Sequence, residues 1–267
     1  LCENENLSST AYDDPLADFD RYNEARRWTP LEKGLWRVIS LLKSGLALLK
    51  MALNFVPDFV ARLTVRRDSG PLDSLDSVCS FVSTRSAFVA QKTLYGYVKT
   101  RMGTRYPSMF ENDVLISSVN IAKMNIFAAC LSDLAIYAAT RTLRDASPDG
   151  AVYRDLALRC FKRGLSDNEE QVLSTNAFSP SEALAAFEQR LAFQDWYGGL
   201  PAPELFTASP AALFKWAPIA PELKRQDKEI VENSIRFTWR DVRAQFEKRI
   251  DAAGVATDLN SFRLSRN

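Results

Sequence analysis

Histidine is absent from all 267 residues. That excludes Ser-His-Asp and Cys-His catalysis, His-ligated zinc, iron or haem, and a histidine pH switch. Cysteine is scarce. Cys2, Cys79, Cys130 and Cys160 are the complete set, and no two stand at a CxxC spacing. A zinc ribbon and a thioredoxin-like motif are therefore ruled out. Cys79 and Cys130 fall among helical core residues, so buried free thiols in a reducing compartment are expected. Phosphate-loop, GxGxxG and GxSxG patterns are missing, and with them three common routes to nucleotide or acyl chemistry. No alternating strand pattern with hairpin turns occurs, and no repeat period stands out.

Charge of one sign is also lacking in excess. Lys and Arg number 34 against 33 Asp and Glu, a formal net charge of +1, so no global field draws the chain to nucleic acid. The short cluster Tyr97, Arg101, Arg105 and Tyr106 is too little to reverse that. Two motif fragments are coincidental. Ser40-x-x-Lys43 has no Lys-Thr-Gly to accompany it, and Asp13-Asp14-x-x-x-Asp18 contains Pro15 and has no second copy. No catalytic residue, metal or cofactor is assigned.

What is present is helix. The stretch Ser108–Arg144 has neither Gly nor Pro. Ser108-x-x-Glu111 has the form of a capping box, and Arg141 and Arg144 suit the negative end of the helix dipole. Its apolar side chains lie on all sides at about 100° per residue: Ile116, Phe127 and Leu134 on one, Leu115, Ile126 and Tyr137 on another. Lys123 and Asp133 interrupt the run, so we expect the helix to be enclosed by protein rather than lipid. Its Asn120, Lys123, Asn125 and Asp133 then need partners, because a buried unpaired charge costs several kcal/mol.

The expected fold class is all-α: an irregular bundle of about seven helices around this central one. Residues 1–30 read as an acidic N-terminal tail, with seven acids against three bases. Residues 31–253 form the bundle and 254–267 a C-terminal tail. Leu31–Val56 is the cleanest amphipathic helix, with Pro30 at its first position and Pro57 at its end. From Leu31 to Arg67 seven bases face two acids. Lys33, Trp36, Arg37, Lys43 and Lys50 are the candidate surface there for a partner or an anionic membrane. The acidic tail beside it could fold onto this basic stretch and be released by a partner. The chain opens on Leu1 rather than Met, so preceding sequence, with any targeting segment, is expected.

Ser74–Met102 is the next long helix. Phe81, Phe88, Tyr95 and Met102 recur every seven residues, and Arg85, Lys92 and Lys99 border them at the same interval. The opposite face is small: Ser80, Ser83, Ala87, Ala90 and Thr93. Arg85, Lys92, Lys99, Phe88, Tyr95 and Asp133 are the candidate ligand or partner site. The basic row could meet Asp133 or other carboxylates in buried pairs, run along the surface, or line a groove for an anionic amphiphile, phosphate or acidic partner. Shorter helices are expected at Ala151–Arg163 with Gly164 as a stop, after capping boxes at Ser166-x-x-Glu169 and Ser179-x-x-Glu182, and at Ala211–Trp216 behind Ser209-Pro210. Glu222–Ala253 should be one last long helix closed by Gly254, docking through Ile230, Ile235, Phe237, Trp239, Val242, Phe246 and Ile250.

The functional expectation is a non-enzymatic helical interaction module, cytoplasmic or peripheral to a membrane, serving as a subunit or assembly factor with a protein partner. The alternative is a bundle that binds a lipid or other small amphiphile. In it the basic row would take the anionic head while the aromatics wall the tail.

Overall fold

Helix is the rule along the whole chain that the structure, a computed structural model, describes: residues 70–106, 112–144, 149–175, 177–197 and 202–264. These lie within one compact unit, Val60–Asn267. The acidic tail, the amphipathic helix at Leu31–Val56 with its five candidate residues, and the Ser108–Glu111 capping box lie outside the described residues. Among those described there are nine α-helices, two 3-10 turns and no strand beyond an isolated bridge. The helices are α1 (Leu75–Met102), α2 (Asp113–Leu143), α3 (Gly150–Asp167), α4 (Glu169–Ser174), α5 (Pro180–Ala192), α6 (Ala208–Trp216), α7 (Pro221–Lys224), α8 (Lys228–Arg249) and α9 (Ala252–Leu264).

α2 is the centre. It starts at Asn112, whose side chain accepts from the Leu115 amide at 3.1 Å, four residues after the expected cap at Ser108. By length and composition it could cross a membrane: its most apolar 18-residue window has a mean hydropathy of 1.6. That window is 44% buried: the helix is exposed at its start, Val114 at 77%, while from Met124 onward protein surrounds most of it, and Ile126, Phe127, Leu131, Leu134 and Ile136 have no exposed surface. α1, α3 and α6 pack along it, and α9 touches it from the side. α1 can approach closely because the face carrying Ser83, Ser86, Ala87, Ala90 and Thr93 is the buried one. Small residues let helix axes come together without cavities.

An aromatic cluster joins α8 to this centre. Tyr137 lies 5.7 Å from Phe246 and 5.4 Å from Phe206, Phe81 lies 5.5 Å from Phe246, and Phe206 lies 4.7 Å from Trp239. The pairs are edge-on or tilted, as the ring quadrupole favours. On the far side of α3, Phe161 stacks on Phe187 of α5 at 4.3 Å.

Two glycines have other roles than helix stops. Gly164 lies inside α3, where a Cβ would sit 2.4 Å from Leu131 Cδ2. It is the contact by which α3 reaches α2. Gly254 lies inside α9, where a Cβ would meet the Asp73 carbonyl oxygen at 2.8 Å. Ser166 likewise lies inside α3, and Asn168 takes the N-cap position of α4. Ser179 behaves as expected, accepting from the Glu182 amide at 3.2 Å with Pro180 at the first helical position.

The expected last helix is three. The chain turns between α7 and α8, and breaks again at Ile250, which has an extended backbone. There Leu72 makes a parallel bridge: its amide donates to the Arg249 carbonyl at 2.8 Å, and its carbonyl accepts from the Asp251 amide at 3.0 Å. The expected C-terminal tail continues as α9, with Val255 and Leu259 buried. Asp258 of α9 accepts from the Leu75 amide at 2.8 Å. A carboxylate thus sits at the positive end of α1, where the dipole stabilises it.

Candidate functional site

The seven-residue row on α1 forms a strip along the bundle's edge. Phe81 at its start is core. Arg85, Phe88 and Tyr95 are half-buried, and Lys92 and Lys99 are exposed. The Arg85 guanidinium lies 5.6 Å above the Phe81 ring, and the Lys92 ammonium 5.4 Å above Phe88. Each cation therefore has a ring face beside it, a favourable electrostatic arrangement. Burial pushes the Tyr95 hydroxyl far above its ordinary range, so it stays protonated.

Asp133 does not belong to this row. Its side chain is fully enclosed, and its partners come from later in the chain. Oδ1 accepts from Arg190 Nη1 at 2.7 Å and from the Ala208 amide at 3.1 Å. Oδ2 accepts from the Ser209 amide at 2.8 Å and the Ser209 hydroxyl at 2.6 Å. The Ser209 oxygen in turn accepts from Trp239 Nε1 at 2.8 Å. Arg190 also donates to Ser132 Oγ at 2.7 Å and to the Leu205 carbonyl at 2.9 Å. One carboxylate thus ties α2 to α5, to the first turn of α6 and, through Ser209, to α8. The expected pairing of Asp133 with Arg85, Lys92 or Lys99 is replaced by pairing with Arg190. Charge-assisted bonds of this kind are the strong ones. With each oxygen accepting two donors, Asp133 is a clamp.

Two of the other polar residues singled out on α2 bond within the helix. Lys123 Nζ donates to Asn120 Oδ1 at 3.0 Å, and Asn125 Nδ2 donates to the Ile121 carbonyl at 2.9 Å. Two further carboxylates anchor the C-terminal helices. Asp227 accepts from Arg101 Nε at 2.5 Å, from Arg101 Nη2, and from the Tyr97 hydroxyl at 2.8 Å. The Arg101 bond in particular holds its carboxyl below the usual range, and burial followed by the Asp227 bond pushes the Tyr97 hydroxyl up to about 12. Tyr97 and Arg101, part of the basic-aromatic cluster, are thereby engaged in holding α7 and α8 to α1. Glu247 accepts from the Tyr137 hydroxyl at 2.6 Å and from Arg141 Nε at 2.5 Å, and Arg141 chiefly depresses its carboxyl.

The outward face of α8 carries what the sequence reading put inside. Ile230 and Phe237 are 71% and 62% exposed. Val231, Ile235, Trp239, Val242 and Phe246 make the buried stripe. At about 100° per residue Phe237 stands about 200° from Ile235, so the two cannot share a face. That signal was available in the spacing. Ile230 and Phe237 are seven apart and fall on one line. The Arg240 guanidinium lies 5.6 Å above the Phe237 ring, and Arg236 is bonded to Glu232 at 3.1 Å. Glu229, Asp241 and Lys228 complete an exposed border of both signs.

Compared with protein families, curated proteins and solved structures, this chain matches no family model, no curated protein and no solved structure.

Proposed function

We propose that this chain is a non-enzymatic helical interaction module, a subunit or assembly factor that docks on a protein partner through the outward face of α8. The observation that carries this reading is the pair Ile230 and Phe237, two large apolar side chains standing in solvent one heptad apart on a helix whose inner face is already packed. Apolar residues at that interval are how a helix is read by a groove. The border favours protein over bilayer. Arg236 and Arg240 stand between Glu229 and Glu232 on one side and Asp241 on the other, and an anionic membrane surface would repel those carboxylates. Aromatic and Arg side chains together are also the usual centre of a protein interface.

The test compares the full chain with Ile230→Glu/Phe237→Glu as affinity baits in cells, with bound proteins identified and flotation on anionic vesicles run in parallel. A partner held at stoichiometric level by the natural chain and lost by the variant supports the reading. Equal capture by both baits, or salt-sensitive flotation with no captured protein, overturns it.

A second reading rests on the α1 strip. The exposed ammonium groups of Lys92 and Lys99, beside half-buried Phe88 and Tyr95, suit a small anionic amphiphile lying along the helix. Native mass spectrometry of the gently purified chain would reveal it as a retained mass, lost in Lys92→Glu/Lys99→Glu.

A further inference from the structure

α1 and α3 bring two distant cysteines together. Cys79 and Cys160 are 81 positions apart in sequence, yet their Sγ atoms lie 3.3 Å from each other. Both are buried and free. From that contact an S–S bond requires only a small closure. Beside the pair is a cavity of about 340 Å³ lined by Asp76, Cys79, Arg159, Lys162, Arg163 and Ser166. Arg163 is bonded to Asp76 and to Asp167, each at 2.6 Å, and Arg159 and Lys162 add two further cations to the lining. The cavity is therefore electropositive, and Cys79 is the sulfur that lines it.

We propose that Cys79 and Cys160 form a reactive dithiol that is oxidised to an intramolecular disulfide by an anionic small-molecule disulfide of the glutathione type, admitted through this cavity. The Cys79 thiolate attacks one sulfur of the reagent, forming a mixed disulfide and expelling one thiolate. Cys160 then gives up its proton and attacks the Cys79 sulfur, expelling the second thiolate. In balance, two protein thiols lose two electrons and two protons, and the reagent disulfide becomes two thiols. The roles follow from the surroundings. The sulfur contact with Cys160, aided by Arg159 and Arg163, outweighs burial and holds the Cys79 thiol below its ordinary range. The same contact, together with burial, pushes Cys160 well up. Cys79 lines the cavity and Cys160 does not, so Cys79 is the attacking thiol and Cys160 the resolving one. Cys130 is an internal control: burial above all, with Asp133 nearby, pushes its thiol well up, and it lines no part of the cavity.

The experiment treats the folded full chain, carrying Cys2→Ser, with glutathione disulfide and follows intact mass and peptide maps. The expected product has lost two hydrogens and joins Cys79 to Cys160. Cys160→Ser should stop at the mixed disulfide on Cys79, and Cys79→Ser should react at neither position. Lys162→Gln should slow the reaction roughly 5-fold with glutathione disulfide, yet less than about 2-fold with uncharged hydroxyethyl disulfide. Cys79 reacting only after unfolding in urea, a mixed disulfide that never resolves, or equal slowing with both reagents would each overturn the proposal. The unsubstituted pair is sufficient for the first two of these outcomes, so the proposal stands or falls even where a variant does not fold.

Discussion

Replacing Asp133 by alanine removes the acceptor for four hydrogen bonds at once. The Arg190 guanidinium is left in a site where its side chain is only 23% exposed. The Ala208 and Ser209 amides at the start of α6 lose their cap, and Ser209, on which Trp239 depends, loses its own partner. Breaking a buried ion pair from one side costs about 3–5 kcal/mol. Each orphaned amide adds roughly 1 kcal/mol where water cannot replace the carboxylate. Arg190 recovers part of its hydration through the exposed fraction, so the net loss should be about 4 kcal/mol. In a body of this size that lowers Tm by roughly 10 °C. Asp133→Asn should fare little better, because its NH2 would face donors where the carboxylate accepted. Urea denaturation of the natural chain, Asp133→Ala, Arg190→Ala and the double variant forms a thermodynamic cycle. The double variant should be more stable than the sum of the two losses predicts, with a coupling above about 1 kcal/mol. A loss below about 1 kcal/mol for Asp133→Ala, or strict additivity, would show that the clamp does not hold these helices.

Gly164→Ala should destabilise by about 1–2 kcal/mol in urea melts, since the Leu131 contact at 2.4 Å outweighs the helix propensity gained. An increase in stability would mean α3 is free to move off α2. Ser209→Ala should cost about 1–2 kcal/mol and change the near-ultraviolet signal of Trp239, whose Nε1 loses its acceptor. Asp227 and Glu247 have carboxyls depressed in the fold. Their contribution is whole above the ordinary carboxylate range and is lost as pH falls through it toward the depressed values. Asp227→Asn/Glu247→Gln should therefore show a shallower loss of stability below about pH 5 than the natural chain; an unchanged slope refutes the assignment. Ile230→Glu/Phe237→Glu should shift stability by less than about 0.5 kcal/mol, because both side chains already stand in solvent. A large loss in the same melts would place them in the core.

Local chemistry was legible from the residues. Ser179 and Pro180 open α5, and the apolar girth of α2 marked it as the enclosed helix. What was missed has long-range causes. Gly164 and Gly254 looked like stops because a glycine needed for close packing has the same local signature as one that ends a helix. The break at Ile250 contains no proline. It is set by Leu72, which bridges to that point from nearly 180 residues earlier. Asp133 had suitable cations on α1 by charge, but Arg190 reaches it first, and only the packing of α5 on the bundle decides that. For α8 the failure was of a different kind: the wheel already separated Phe237 from Ile235, and apolarity was taken for burial.

The hydrogen bonds of Leu72 and Asp258 tie the first described turn of the chain to the end of α8 and to α9. During synthesis α1 emerges long before α9. Its leading amide must then wait in water for a carboxylate that the ribosome has not yet made. The body can gather around α2 early, but its final fastening comes only once α9 has been made.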